Sequence, residues 1–245
     1  MKTALVTGGS KGIGLETVLR LINNGYKVVT CSRNIALWQS ACLTYPELND
    51  VDYLTIDISK QSNLNRLFDH IESHYKSLDL AVNNASPAIA SRGSFDQVAI
   101  EDLKATLDVD FWSQALCLKR EIRLMKTGGV IVNVSSINGL RPTPNAAMYS
   151  AAKHALEGLT RSVALENIER GIRINAVAPG VTWTPRWEER QQEDPQIRQT
   201  VSDVVPCKRF ANPSEIVDAI EFLLSPKSSY VVGHTLVVDG GLTLA

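Results

Sequence analysis

One stretch near the start constrains the fold more than any other: Thr3-Ala4-Leu5-Val6-Thr7-Gly8-Gly9-Ser10-Lys11-Gly12-Ile13-Gly14. Ala4-Leu5-Val6 is a short apolar run that suits a buried strand. Glycines at 8, 12 and 14 interrupt it, and Leu15, Val18, Leu19 and Ile22 then fall at helical spacing. A strand that breaks on glycines and restarts as a helix aims unpaired backbone N–H groups, and the positive end of the helix, at one spot. That spot suits a pyrophosphate, and the glycines let phosphates approach the backbone. A glycine-rich turn without a ligand would carry the same letters. The position between a first strand and a first helix favours the nucleotide.

The rest of the composition narrows the class. At 245 residues, 44% apolar and 21% charged, the chain fits one large α/β domain spanning 1–245. A net charge of −1 and no basic stripe argue against a nucleic-acid partner. No apolar run is long enough to span a membrane. The early first strand leaves no room for a signal peptide, and Cys31, Cys42, Cys117 and Cys207 form no Cys-x-x-Cys. Reduced thiols in a cytoplasmic protein are therefore expected. His70 and His74 have the spacing of a metal pair but no third ligand in the sequence, which favours an exposed helix face and no metal.

Strand–helix units continue along the chain. Lys27 to Cys31 reads as strand two, followed by Ser32-Arg33-Asn34. In dinucleotide folds an acid there accepts from the adenosine ribose 2′-hydroxyl. Here Ser32 and Arg33 replace it, with Lys11 across the loop, which suits a 2′-phosphate and hence NADP(H) rather than NAD; the alternative is a solvated Arg33. Tyr53 to Ile56 gives strand three. Asp57, followed by Ile58, would then either meet the adenine amino group or cap a helix over Ser59–Tyr75. Leu78 to Val82 makes strand four, ending on Asn83-Asn84-Ala85-Ser86-Pro87 at the sheet edge where ligands bind. Ile100 to Met125 reads as one long helix, Val130 to Val134 as strand five, and Ser135-Ser136 arrive at the same edge.

Tyr149 and Lys153, four residues apart on a helix from about Ala146 to Asn167, share one face. A tyrosine has an ordinary pKa of about 10, and a neighbouring ammonium favours its phenolate. Such a pair can exchange a proton with an alcohol or ketone. Ile172 to Val177 is strand six, ending at Ala178-Pro179-Gly180. Residues 181–205 show no sustained period and read as an irregular stretch, either a functional lid that serves as a substrate-binding loop or a disordered loop. Asn212-Pro213-Ser214-Glu215 opens a helix, and Leu236 to Val238 is the last strand. These elements predict a Rossmann-like, doubly wound, mainly parallel sheet of seven strands with three helices on each face.

Taken in order, these motifs resemble the short-chain dehydrogenase/reductase family over nearly the whole chain. Thr7–Gly14 is similar to its cofactor loop, Asn83-Asn84-Ala85 to its strand-four motif, and Pro179-Gly180 and Val237-Val238-Asp239-Gly240-Gly241 to its later ones. Ser136, Tyr149 and Lys153 match its catalytic serine, tyrosine and lysine. The resemblance implies that Tyr149 is the acid/base, that Ser136 orients the carbonyl, and that Lys153 holds the nicotinamide ribose and favours the phenolate. It implies cofactor contacts from Gly8, Ser10, Lys11, Gly12, Ile13 and Gly14; from Ser32, Arg33 and Asn34; from Asp57, Ile58, Asn84 and Ala85; and from Tyr149, Lys153, Pro179, Gly180, Thr182 and Thr184. The implied substrate is a small carbonyl compound or alcohol, with 3-oxoacyl thioesters, sugars, steroids and simple ketones all open. The implied assembly is a homotetramer. Two residues depart from the pattern. Ser86 stands where many relatives have Gly, and Asp110 where the fourth catalytic residue is usually Asn. The rival reading is a catalytically silent dinucleotide-binding protein, with Asp110 in its favour.

Overall fold

Alternation along the first strand decides the layering. β1 (Thr3–Thr7) sends Ala4 and Val6 to one side of a sheet and Leu5 to the other, all fully buried. A strand buried on both faces must have helices above and below. In this computed structural model, which describes residues 2–126 and 128–245, those layers are supplied by a repeated strand–helix pattern. α1 (Gly12–Asn23), β2 (Lys27–Ser32), α2 (Ile35–Thr44), β3 (Asp52–Thr55), α3 (Gln61–Tyr75) and β4 (Leu80–Asn83) form the first half. The second half contains α4 (Ile100–Leu107), α5 (Ser113–Leu124), β5 (Val130–Val134), α6 (Ala147–Asn167) and β6 (Arg173–Pro179). It finishes with α7 (Pro185–Glu193), α8 (Ile197–Val204), α9 (Pro213–Leu224) and β7 (Thr235–Val238).

The strand order is β3-β2-β1-β4-β5-β6-β7 and every pairing is parallel, so the sheet is wholly rather than mainly parallel. Val18, Trp38, Ile216 and Ile220 from α1, α2 and α9 pack on the face that carries Ala4, Val6 and Val132. Leu67, Phe68, Leu118 and Ala164 from α3, α5 and α6 cover the face of Leu5, Val29 and Ile131. The order reverses between β1 and β4, so the loops after those strands diverge and leave a crevice at the carboxyl edge.

Three expectations change. The stretch from 100 to 125 is one continuous helical run to Leu124, but not all α: Asp108–Trp112 is a π-helical turn in which the Ser113 N–H reaches back to the Asp108 carbonyl. The extra residue in that turn buries Asp110. Residues 181–205 are not irregular but hold α7 and α8. α7 buries no residue fully, so it carries no apolar period to read. Asp57 caps no helix: the cap position of α3 is Lys60, and the Asp57 carboxylate accepts from the backbone N–H (3.1 Å) and hydroxyl (2.8 Å) of Ser59.

Candidate active site

The crevice is built from Thr7 and Asn84. The Thr7 hydroxyl accepts from the backbone N–H groups of Asn84 and Ala85, both at 3.1 Å. Asn84 Nδ2 donates to the carbonyls of Thr7 (3.0 Å) and Gly8 (3.2 Å). These bonds tie the glycine loop to the end of β4. Gly8 takes φ +77° and Gly12 φ +58°, a backbone region that disfavours other residues. α1 begins at Gly12 with no side-chain cap, which leaves its first-turn N–H groups for an anion. A cradle of this kind fits the pyrophosphate of a dinucleotide.

A cavity of about 500 Å³ runs from this loop along the sheet edge. Gly8, Ser10, Lys11, Gly12, Ile13, Ser32, Arg33, Asn34, Asp57, Ile58, Asn84 and Ala85 line one part of it. Ser136, Tyr149, Lys153, Pro179, Gly180, Thr182 and Thr184 line the other. Two of the expected site residues do not reach its surface. Gly14 lies beneath the loop, where a Cβ would stand 2.2 Å from the Gly8 carbonyl oxygen, so its part is close packing. Asp110 sits behind Lys153. The cavity also takes in Leu37 and Ile56, which no sequence motif marks as site residues; Leu37 lies on α2, and the motif pattern carries no signal for that helix.

At the end after β2, Ser32 Oγ pairs with the Tyr53 hydroxyl (2.9 Å) and Asn34 caps α2 by accepting from the Ala36 N–H (2.9 Å). Arg33 is exposed at the cavity wall. Lys11 Nζ is 3.3 Å from Glu189 Oε1 of α7. Asp57, which lines the wall nearby, keeps its turn through Ser59.

At the other end, Tyr149 is buried on the first turn of α6 and Lys153 Nζ lies 5.6 Å from its ring centre. Lys153 is 1% exposed and donates to the Val134 carbonyl at 3.2 Å. Asp110, also 1% exposed, places Oδ1 3.6 Å from the ammonium. That same oxygen accepts from Ser86 Oγ at 2.6 Å. Ser136 Oγ accepts from the Asn138 N–H (3.1 Å) at the start of a short 3₁₀ turn. Its own proton is left to donate elsewhere.

α7 closes over the cavity like a lid. Pro185 at its first position follows Thr184. Arg186 Nη2 donates to the carbonyls of Ser86 and Pro87, each at 2.7 Å. Trp187 packs edge-on to Phe210, and Arg190 lies 4.3 Å over the Trp187 ring. Burial of Arg190, helped by nearby Arg92, pulls its guanidinium below the ordinary arginine range. Among the described residues no cluster of His, Cys, Asp and Glu could hold a metal. His70 pairs instead with Asp52 at 2.6 Å and stacks on His74.

A family model described as "Enoyl-(Acyl carrier protein) reductase" matches residues 8–243. Glucose 1-dehydrogenase of Gluconobacter oxydans is 36% identical over 252 residues, covering 99% of this chain and 92% of that protein. 3beta-hydroxysteroid dehydrogenase 1 of Eggerthella lenta is 34% identical over 250 residues, covering 99% and 94%. The solved structure of ElxO with NADP bound superposes with a TM-score of 0.93 at 28% identity, over 100% of this chain and 99% of that one. The family model spans nearly the whole chain and the relatives cover 99% of it, and the chain belongs to the short-chain dehydrogenase/reductase family of oxidoreductases.

Proposed function

We propose that the chain is an NADP(H)-dependent oxidoreductase that interconverts a ketone and a secondary alcohol, with Tyr149 as its acid and base. The observation that carries this reading is that Tyr149 and Lys153 line the same cavity as the glycine cradle. NADPH held by the glycine cradle and Lys153 would supply a hydride to the carbonyl carbon. The Tyr149 hydroxyl gives its proton to the carbonyl oxygen, so the products are an alcohol and a phenolate. The Ser136 hydroxyl donates to the same oxygen and fixes its direction. The Lys153 ammonium, held by the Val134 carbonyl, favours the phenolate left behind. Alcohol oxidation reverses each step.

Arg33 supports the preference for NADP(H). Its guanidinium lines the cavity wall after β2, where Ser32-Arg33 stand in place of an acid that would hold a ribose hydroxyl. The ElxO neighbour with NADP bound agrees with a 2′-phosphate at this place. Glucose 1-dehydrogenase and the hydroxysteroid dehydrogenase support a secondary alcohol or sugar as substrate. Among the described residues no helix is long and apolar enough to cross a membrane; a cytoplasmic enzyme is our reading from the four cysteines, which are free thiols. Exposed Ile100, Trp112 and Leu165 on the α4–α6 side, and Tyr230 and Leu244 near β7, support two self-complementary contacts and a homotetramer. Sedimentation at micromolar concentration tests this, and a monomer would refute it.

The test of activity is a panel of ethyl acetoacetate, an acetoacetyl thioester, a crotonyl thioester and 4-oxocyclohexanecarboxylate with NADPH, and glucose with NADP⁺. Following the nicotinamide absorbance should show turnover with a ketone or sugar. Turnover confined to the crotonyl thioester would replace carbonyl reduction by enoyl reduction.

A further inference from the structure

The two positions at which this chain departs from the family pattern touch each other. Ser86 Oγ donates to Asp110 Oδ1 at 2.6 Å, the short length of a hydroxyl bound to a carboxylate. Lys153 Nζ forms an ion pair with that same oxygen at 3.6 Å, longer than a hydrogen bond, and donates to the Val134 carbonyl at 3.2 Å. Asp110 and Lys153 are each 1% exposed, so solvent screens their attraction little. A buried carboxylate released at this range would move into contact with the ammonium and hold it. The other nearby acids are engaged elsewhere: Asp108 with Lys104, Glu189 with Lys11, and Glu157 with Thr235. Ser86 is therefore the hydroxyl that shares this oxygen with the lysine and holds their ion pair at 3.6 Å rather than at hydrogen-bond distance.

The main chain of Ser86 is held from the opposite side. Its carbonyl and that of Pro87 both accept from Arg186 Nη2 at 2.7 Å, and Arg186 lies in the first turn of α7, the lid. One residue thus joins two systems, the lid through its carbonyl and the Asp110–Lys153 pair through its hydroxyl.

The geometry points to Ser86 as a positioning residue that couples closure of α7 to the freedom of the Lys153 ammonium beside Tyr149. This rests on the reading of Tyr149 and Lys153 as the proton-transfer pair. With the lid seated, Arg186 fixes the Ser86 backbone, the hydroxyl retains Asp110, and Lys153 stays available to the phenolate and ribose. With the lid lifted, Ser86 loses its anchor and Asp110 can capture the lysine. Substrate enclosure and chemical competence then arrive together.

The experiment is single-turnover hydride transfer from NADPH to the fastest ketone of the panel above, with steady-state KM measured in parallel and melting curves as a folding control. Ser86→Ala should slow transfer about tenfold, within the range of couplings between contacting residues. Ser86→Gly, the residue many relatives carry, should do the same. Ser86→Thr keeps the hydroxyl and should recover the rate to within about threefold. In an Asp110→Asn background the Ser86→Ala effect should shrink below about twofold, because no charge remains to capture the lysine. Arg186→Met should raise substrate KM in every background but slow transfer only where Ser86 and Asp110 are both present. Equal slowing by Ser86→Ala in the native and the Asp110→Asn backgrounds would overturn the positioning role. An Arg186→Met effect on KM alone would overturn the coupling to the lid. Failure of the native chain to reduce any ketone would remove the activity reading and this inference together, whereas native turnover with an unaffected Ser86→Ala variant would remove the inference alone.

Discussion

Deleting one oxygen separates what Tyr149 does from how it packs. The ring of Tyr149 is buried on the first turn of α6, and Phe fills the same space. Tyr149→Phe should preserve melting behaviour and NADPH affinity while lowering turnover by about 10²–10⁴-fold, the usual contribution of a positioned acid. Turnover within a factor of a few of the native rate would remove Tyr149 from that role. Arg33 permits an equally narrow test. Around it the Ser32 hydroxyl is taken by Tyr53 and the Asn34 side chain by the α2 cap. Lys11 leans on Glu189, an exposed pair that costs little to break. On the proposed NADP(H) reading, the Arg33 guanidinium is then left as the principal group to meet a 2′-phosphate. Arg33→Ala should weaken NADPH by about 1.5–3 kcal/mol, the scale of a hydrogen bond to a charged group, and leave NADH nearly unchanged. Fluorescence titration with both cofactors measures this, and equal losses would show that Arg33 does not distinguish them.

Elements with a simple period were legible in the sequence, and those whose register depends on a neighbour were not. Val130–Val134 reads as a strand and is one, because both faces are buried and every residue is apolar except Asn133. The glycine loop was legible because its turn geometry admits few other residues. α2 was not, since Ile35, Leu37 and Leu43 remain exposed while Trp38 and Ala41 are buried, leaving no clean apolar stripe. α7 covers a cleft rather than a core and so shows no period. The π turn adds one residue between two helices of ordinary sequence, and only its consequence, the burial of Asp110 beside Ser86, reveals it. That contact joins positions 24 apart and cannot be read before the chain is folded. Gly14 tests the loop as a unit. A Cβ there would lie 2.2 Å from the Gly8 carbonyl oxygen and 2.4 Å from Asn84 Nδ2, so Gly14→Ala must displace the main chain of the cradle. It should destabilise the protein by about 1–3 kcal/mol, as overpacking does, and weaken NADPH. A variant with native melting and native affinity would show that the cradle tolerates that displacement.

At the scale of the whole molecule, the sheet and its outer helices are joined by a buried polar path that the proposed chemistry does not use. Asn83 of β4 donates to Glu121 of α5 (2.9 Å) and to Asn133 of β5 (3.0 Å), and Asn133 donates to Thr160 of α6 (2.9 Å). Glu121 is fully buried, and its Oε1 and Asn83 Oδ1 have no partner among the described residues. Loss of solvent pushes the Glu121 carboxyl up from its ordinary 4.5 to about 8, against the opposing hydrogen bond from Asn83. The folded protein therefore holds a proton that the unfolded chain releases above about pH 4.5. Stability from this group is fully present below that value and declines as pH rises to about 8, with a slope of at most about 1.4 kcal/mol per pH unit. Gln at this position carries no charge at any pH and keeps an acceptor for Asn83. Glu121→Gln should therefore flatten the decline and exceed the native protein in stability at pH 8 by on the order of 2–4 kcal/mol, with little difference near pH 5. Urea unfolding of both proteins at pH 5, 6.5 and 8, at one fixed protein concentration, measures the difference directly and cancels the titration of every other group. Parallel stability curves would mean that Glu121 is ionised in the folded state, and that some group outside this path compensates a charge buried at the centre of the molecule.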